Sequence, residues 1–492
     1  MPIVVGVDLG TTKITSVAVD TLSGQILAIG TAANEANVTR PEDRIRGYSE
    51  WRADLILVAA IRCLSSLSQQ LGSRVRDVAG ISITGQQHGM VLIDATTLQP
   101  VSPLINWQDR RALELMPNGL STWLTAARTA LGGDAWKRTG CWLHPGFMAM
   151  TLFELQQRQQ LPANARALFI MDYFATALTG QPPITEPSCA GSSGVFNVRS
   201  RQWDDEAIKA LGLPRSLFPT VHEADHGIGG ITAEQSQATG LPVGTPVFAP
   251  LGDHQASFLG SIADRRNSVL VNVGTGAQVA VYTDGFDFQL PIELRPCPCG
   301  GNLLSNVGLS GGWSYQVLEQ FFQDVGHTLF ESASANKLYE VMSRLAATVP
   351  AGADGLRCEP QFSGTRLDPT VRGSITGLSP QNFTARHLSR ALLEGMGRSL
   401  HHGFQAIHQI TGHLPTALIA AGNGLRENPL LADIVSTSFD LPITFTRHRE
   451  EAAFGAALVA SVGAKVFANL DEAAKRLVHT TLEADRPVNS GH

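Results

Sequence analysis

Asp8, Thr11 and Thr12 cluster around Gly10, between the apolar runs Ile3-Val4-Val5-Gly6-Val7 and Ile14-Thr15-Ser16-Val17-Ala18-Val19. A carboxylate, two hydroxyls and a glycine are groups that handle phosphate. Hydroxyls and backbone N–H groups donate to phosphate oxygens, glycine lets the backbone come close, and a carboxylate such as Asp8 can hold the Mg²⁺ that accompanies a nucleotide. An ordinary hairpin turn would use the same residues, so this stretch alone leaves both readings open. A second copy about half a chain later favours phosphate. Ser268-Val269-Leu270-Val271-Asn272-Val273 runs into Gly274-Thr275-Gly276 and leaves through Gln278-Val279-Ala280-Val281-Tyr282. The repetition predicts a duplicated domain in which each half supplies a phosphate loop and a nucleotide lies between them.

Three other groupings carry possible chemistry. Gly85-Gln86-Gln87-His88-Gly89 follows the apolar run Val78-Ala79-Gly80-Ile81-Ser82-Ile83-Thr84. That puts amide and imidazole groups at a strand end, where open α/β sheets bind ligands. Both can accept from one hydroxyl and donate to another, which suits a polyhydroxylated substrate, although a histidine between glycines also serves as a turn element. Asn106-Trp107-Gln108-Asp109 adds an aromatic face, amides and a carboxylate, a combination suited to a sugar, or in the case of Trp107 to a core. Leu251-Gly252-Asp253-His254-Gln255-Ala256-Ser257 sets a carboxylate after an apolar run and a glycine, at the start of a predicted helix. Asp253 there is either a helix cap or a general base, and phosphoryl transfer to an alcohol needs a carboxylate near the attacking hydroxyl.

The elements that must hold these groups follow from periodicity. The residues around Asp8 predict two strands and a turn, with a third strand at Ile26-Leu27-Ala28-Ile29-Gly30. Glu50-Trp51 opens a helical pattern through Leu55, Val58, Ile61 and Leu64, and helices are predicted over 315–325 and 384–410, the latter with Leu388, Leu392, Met396, Leu400, Phe404 and Ile407 on one stripe. Leu418-Ile419-Ala420-Ala421 predicts a strand ending in Gly422-Asn423-Gly424-Leu425-Arg426-Glu427-Asn428, a turn that could admit an adenine ring against bare backbone. Glu451-Ala452-Ala453-Phe454-Gly455-Ala456-Ala457-Leu458 predicts a helix of small residues for close packing in the core. A Gly/Pro-punctuated stretch at 242–250 marks the boundary between domains 1–250 and 251–492.

At 492 residues, 43% hydrophobic and 16% charged, the chain has the composition of a globular protein with two or more domains. A net charge of −6 gives no basic footprint for nucleic acid, and no apolar run predicts a membrane span. The six cysteines are scattered, and the lone pair Cys297 and Cys299 is a weak zinc signal, so reduced thiols in a cytoplasmic protein are expected. No Gly-x-x-x-x-Gly-Lys-Ser/Thr stretch is present, which excludes a P-loop kinase.

Taken in order, these segments resemble the FGGY carbohydrate kinases. Gly373-Ser374-Ile375-Thr376-Gly377-Leu378, followed by His387-Leu388-Ser389-Arg390-Ala391-Leu392-Leu393-Glu394, is similar to the family's C-terminal signature. The resemblance implies an α/β fold of two actin/Hsp70-like, ribonuclease H-like ATPase domains around a cleft, with ATP and Mg²⁺ as cofactors, a small sugar as partner, and a monomer or homodimer. It implies Asp253 as catalytic base and Asp8 as metal residue. Gly10, Thr11, Thr12 and Lys13 would face the phosphates with Gly274, Thr275 and Gly276, while Gly422, Asn423, Gly424 and Asn428 would lie by the adenosine. Gln86-Gln87-His88-Gly89 is similar to the substrate segment of the ketose kinases, and Trp107-Gln108-Asp109 with 252–257 resembles the sedoheptulokinase group more than the xylulokinases. The implied sugar contacts are Gln87, His88, Trp107, Asp109 and Asp253. Two residues depart from the pattern: Gln87 stands where methionine is usual, and Thr15 where a basic residue is usual, with Lys13 the nearby cation. A non-catalytic actin-like ATP-binding protein would share the Asp8 hairpin but has no reason to carry the histidine segment and Asp253 together, and a sugar-sensing protein of this kind would bind ketose without turnover.

Overall fold

The apolar runs on either side of Gly10 pair as strands, and the sheet they begin is built twice. The computed structural model describes residues 2–331, 337–368 and 370–482. In the first sheet β1 (Ile3–Leu9), β2 (Lys13–Asp20) and β3 (Ile26–Ala33) are successively antiparallel, and β4 (Val78–Gly85) lies parallel to β1 on its other side. β5 (Gly227–Gly230), β6 (Pro246–Phe248) and β7 (Leu251–Gly252) complete it, with β6 and β7 both parallel to β4.

The second sheet contains β8 (Ser268–Val273), β9 (Gly276–Thr283), β10 (Glu293–Pro296), β11 (Asn302–Ser310), β12 (Ala417–Ala421), β13 (Ile443–Thr446) and β14 (Thr480–Leu482). β8 is antiparallel to β9 and β9 to β11, while β12 is parallel to β8 and β13 to β12. The orders β3-β2-β1-β4-β6 and β11-β9-β8-β12-β13 therefore share one pattern of three antiparallel and two parallel strands. This is the duplicated α/β architecture of the actin/Hsp70-like ATPases.

β1 reads as a near-continuous apolar run because both of its faces are covered. Ile3, Val5, Val7 and Leu9 join the core that includes Ile56, Ala60 and Leu64 of helix α1 (Ala53–Leu71), whereas Val4 on the other face joins Ala453, Ala456 and Ala457. With the turn that follows it, α1 is the one helix among the described residues long and apolar enough to cross a membrane; Ile56, Ala60, Leu64 and Leu67 are buried in the domain core. Glu50 and Trp51 are not its first turn, because they pair with Leu104 and Ile105 as a short strand, and the helix starts at Ala53.

The chain crosses at the centre through two helices, α2 (Asp253–Ser261) and α5 (Glu451–Gly463), separated in sequence by α3 (Gly312–Phe330) and α4 (Ala385–Thr411). α2 and α5 touch backbone to backbone: a Cβ on Gly455 would lie 1.9 Å from the Ala256 carbonyl oxygen, and one on Gly260 2.0 Å from that of Glu451. The small-residue run of α5 is thus core, as its composition predicts. α4 buries Leu392, Met396, Leu400 and Ile407 in the core of the second sheet.

Candidate active site

β1 and β4 end side by side, with Asp8 opposite Thr84 and Leu9 opposite Gly85, and β7 brings Gly252 against Gly85. Three chain segments consequently deliver Asp8, Gln87-His88 and Asp253 to one sheet edge. They line a cavity of about 530 Å³ together with Trp107, His254, Asn272, Gly274, Thr275, Gly276, Gln278, Glu293, Arg295 and Arg366.

Asp253 is the first residue of α2, after Gly252 at the cap position. Its Oδ1 accepts from the His254 N–H at 2.8 Å. Burial pushes its carboxyl up to about 6, against the lowering effect of that N–H. Asp8 is raised further, to about 7, by burial and by the negative charges of Asp253 and Glu450, with Lys13 opposing. Its Oδ1 is buried and has no hydrogen-bond partner. A lone carboxylate oxygen of this kind beside a glycine loop fits a cation shared with phosphates. No group of three His, Cys, Asp or Glu among the described residues could enclose a metal by itself. Mg²⁺ suits that arrangement, since it binds through one or two carboxylates and keeps waters and phosphate oxygens as its other ligands.

The second loop is open. A Cβ placed on Gly274 or Gly276 would meet nothing nearer than 3.8 Å, and the N–H groups of Gly312 and Trp313 tie α3 to it by donating to the carbonyls of Gly274 and Thr275. The cavity can therefore take phosphate oxygens against this backbone.

The polar groups of the first domain are held by the small-residue segment around Ser188. Gln87 donates both amide hydrogens, to the Ser188 carbonyl at 2.9 Å and to Gln255 Oε1 at 3.0 Å, so its own carbonyl oxygen is what is left for a ligand. His88 adopts a left-handed backbone with φ of 77°, and its ring stacks on Phe147 at 4.2 Å. Burial, then Arg295 and Arg366, hold its pKa well below the ordinary value, so the ring is neutral. Nδ1 lies 2.9 Å from the Ser192 carbonyl and must donate to it, which leaves Nε2 as an acceptor for a hydroxyl.

Trp107 is 40% exposed, and its Nε1 donates to Thr11 Oγ1 at 3.0 Å. Asp109 is placed differently from the expectation of a sugar contact. It is 2% exposed, is absent from the cavity lining, and its carboxylate accepts from the Ser49 N–H and from Arg111 at 2.8–3.0 Å. It fixes the loop that carries Trp107.

Of the nucleotide-side residues, Asp8, Gly274, Thr275 and Gly276 line the cavity, and Gly10, Thr11, Thr12 and Lys13 do not. Lys13 Nζ donates to Glu450 Oε1 at 2.9 Å, and Thr15, the residue across the ladder from Asp8, is buried with its hydroxyl unpartnered. Gly422, Asn423, Gly424 and Asn428 also lie outside the cavity lining. Gly422, with φ of 82°, and Gly424 are crowded by the Val273 carbonyl, so packing on the end of β8 already demands glycine there. Asn428 caps the next helix by accepting from the Leu431 N–H.

The lining residues that sequence reasoning missed include His254, Asn272, Gln278, Glu293, Arg295 and Arg366. Glu293 and Arg295 stand two apart on β10 and so share a face, a signal that was available. The six cysteines are free.

A duplicated ATPase fold with a carboxylate at a helix start, a second carboxylate by an open glycine loop and polar acceptors opposite defines a phosphotransferase of the sugar kinase type. Residues 3–260 match the N-terminal domain, and residues 297–464 the C-terminal domain, of the FGGY family of carbohydrate kinases, and the chain belongs to that family. It is a carbohydrate kinase, with ATP as co-substrate. It is 28% identical to the sedoheptulokinase of Homo sapiens, covering 93% of this chain and 97% of that one. It is 26% identical to the xylulose kinase of Lactococcus lactis, covering 97% and 91%. Among solved structures, a xylulose kinase from Rhodospirillum rubrum superimposes with a TM-score of 0.83 at 24% identity over 97% of this chain and 93% of that one. A gluconate kinase from Lactobacillus acidophilus does so with 0.84 at 21% over 98% and 92%.

Proposed function

We propose that this kinase transfers the γ-phosphoryl group of ATP to a terminal hydroxyl of a ketose, with sedoheptulose the expected acceptor and D-xylulose the alternative. The observation that carries the reading is the shared cavity, in which Asp253 at the start of α2 faces the same space as Asp8, the 274–276 loop, Gln87 and His88.

Asp253 is the general base. A carboxylate raised to about 6 is ionised at neutral pH yet takes a proton more readily than an ordinary one, which suits removal of the hydroxyl proton as the bond to phosphorus forms. The sugar is held by acceptors on one side, the Gln87 carbonyl and His88 Nε2, while the Trp107 ring offers an apolar face for its C–H groups. Backbone of the 274–276 loop cradles the phosphates, with Thr11, Thr12 and Lys13 from the first hairpin approaching as the domains close and exclude water. Asp8 would hold Mg²⁺, which when bound neutralises charge on the transferring phosphate. The adenosine would lie toward Gly422-Asn423-Gly424, behind the end of β8. Such an enzyme works in the cytoplasm.

The choice of ketose rests on Gln86-Gln87-His88-Gly89, on Trp107-Gln108-Asp109 and on the likeness to sedoheptulokinases, while similar identity to xylulose kinases keeps D-xylulose as the second reading. The test is ADP production from Mg²⁺-ATP over sedoheptulose, D-xylulose, D-ribulose, L-ribulose, L-fuculose and glycerol, with a no-sugar control. Preference for sedoheptulose is the expected result. Sugar-independent hydrolysis or silence across the panel would overturn it.

A further inference from the structure

The end of the cavity beyond His88 carries more positive charge than the kinase reading uses. Glu293 and Arg295 project from β10, and Arg366 arrives from the loop before residue 369. Arg295 donates through Nε and Nη2 to Glu293 Oε2 at 3.0 and 2.7 Å, and through Nη1 to the Gly191 carbonyl at 2.9 Å. Arg366 Nη1 donates to the other oxygen, Glu293 Oε1, at 2.8 Å. One carboxylate thus serves two guanidinium groups, and the assembly keeps a net positive charge.

Among the described residues no acid other than Glu293 pairs with either arginine. The other acids lining the cavity are Asp8 and Asp253, and neither arginine contributes to holding Asp253 charged. The rings around the assembly are neutral: burial and the arginines push His144 down to about 3 and His254 down to about 4. Arg110, from the first domain, adds a further like charge felt by Arg366's neighbourhood, since burial and then Arg366 lower its pKa. Arg295 is buried with three of its five N–H groups hydrogen bonded, whereas the Arg366 side chain is 31% exposed, and among the described residues only its Nη1 donates a hydrogen bond. His254 Nδ1 is also buried without a partner, and His254 lines the same cavity.

We infer that Arg366, backed by the Glu293–Arg295 pair, forms an anion subsite, so that the enzyme phosphorylates sugar acids as well as neutral ketoses. The anionic group sits at the end of the acceptor away from the reacting hydroxyl, where a planar guanidinium pairs with it through the donors that Glu293 leaves free. A carboxylate and a phosphomonoester share this chemistry. The inference rests on the phosphoryl-transfer reading but not on the choice of sedoheptulose.

The experiment measures kcat/KM with Mg²⁺-ATP for D-gluconate, 2-keto-D-gluconate and D-fructose 6-phosphate beside sedoheptulose and D-fructose, and titrates each acid calorimetrically without ATP. Turnover and saturable binding of an acid are expected, the carboxylates and the phosphate ester telling the two anions apart. In Arg366→Gln the ratio of kcat/KM for the acid to that for the neutral ketose should fall about tenfold or more, and Arg366→Lys should restore part of it. Phosphorylation of neutral ketoses with no binding of any acid would overturn the inference and leave the kinase reading standing. An equal loss on both acceptors in Arg366→Gln and Arg366→Lys would also overturn it, marking Arg366 as structural. Silence with every acceptor would remove the kinase reading and this one with it.

Discussion

The indole Nε1 of Trp107 donates to the hydroxyl of Thr11 at 3.0 Å, which joins a ring that lines the cavity to the hairpin of the phosphate side. Asn106, the residue before Trp107, donates to Gln86 Oε1, so the same loop is also tied to the segment that carries Gln87 and His88. Trp107→Phe keeps an aromatic face and removes the donor. A neutral hydrogen bond contributes about 0.5–1.5 kcal/mol, so KM should rise about two- to tenfold for the nucleotide as well as the sugar. A rise confined to the sugar, in steady-state kinetics varying both substrates, would show that the two sides are not coupled through this bond.

Asp253→Asn preserves the shape of the helix start and removes the base. General base catalysis is worth about 10²- to 10⁴-fold, so kcat should drop by that order while ATP binding, followed by calorimetry, stays near wild type. Wild-type turnover in this variant would take Asp253 out of the role.

The raised carboxyls of Asp253 and Asp8 also make a stability prediction. Both bind protons more tightly folded than unfolded, so between about pH 4 and pH 7 the folded state holds more protons than the unfolded one. Stability from these groups is therefore lost as pH rises through about 6 and 7. Asp8→Asn and Asp253→Asn should each raise the melting temperature at pH 8 and change it little at pH 4. Melting curves at the two pH values check this, and a drop at pH 8 would mean that the charged forms are stabilised by partners in the fold.

Asp109 offers a contrast between holding a loop and holding a sugar. Its carboxylate is spent on Arg111 and the Ser49 N–H in a buried setting, and removing one partner of such a pair costs about 3–5 kcal/mol. Asp109→Ala should lower stability in urea unfolding by that order and impair sugar binding only through the Trp107 loop. A rise in sugar KM with unchanged stability would restore Asp109 as a direct contact.

These residues also show which parts of the site were legible in the sequence. The duplicated hairpins were, because strand periodicity and a glycine turn recur with the same polar residues, and Asp253 was, because an apolar run and Gly252 fix a helix start. Asp109 misled because a carboxylate two residues after a tryptophan resembles a sugar site, while Arg111, two residues further on, claims it. At Gly422 and Gly424 the pattern of a ligand approach coincides with a packing demand, because Val273 at the end of the neighbouring parallel strand leaves no room for a Cβ, a contact that sequence alone does not display. Arg366 and Glu293 meet only through the tertiary fold, so no local pattern announces them.

Glu450 tests how the acids at the phosphate end work together. It holds Lys13 at 2.9 Å, and its charge, after burial and Asp253, is part of what raises Asp8 to about 7. Glu450→Gln removes that charge and loosens Lys13 at once. Both changes stabilise the Asp8 carboxylate, since a negative neighbour is lost and a cation is freed from its competitor. Asp8 should then ionise at lower pH, and the acidic limb of the pH profile of kcat/KM for Mg²⁺-ATP should move to lower pH, most visibly at limiting metal, where an ionised Asp8 matters most. Lys13→Ala has the opposite sign, because it removes the one cation that lowers Asp8, and its acidic limb should move up. Profiles between pH 5 and 8 in the two variants check the pair of shifts. A limb that moves in neither variant would belong to Asp253, which neither Glu450 nor Lys13 shifts, rather than to Asp8.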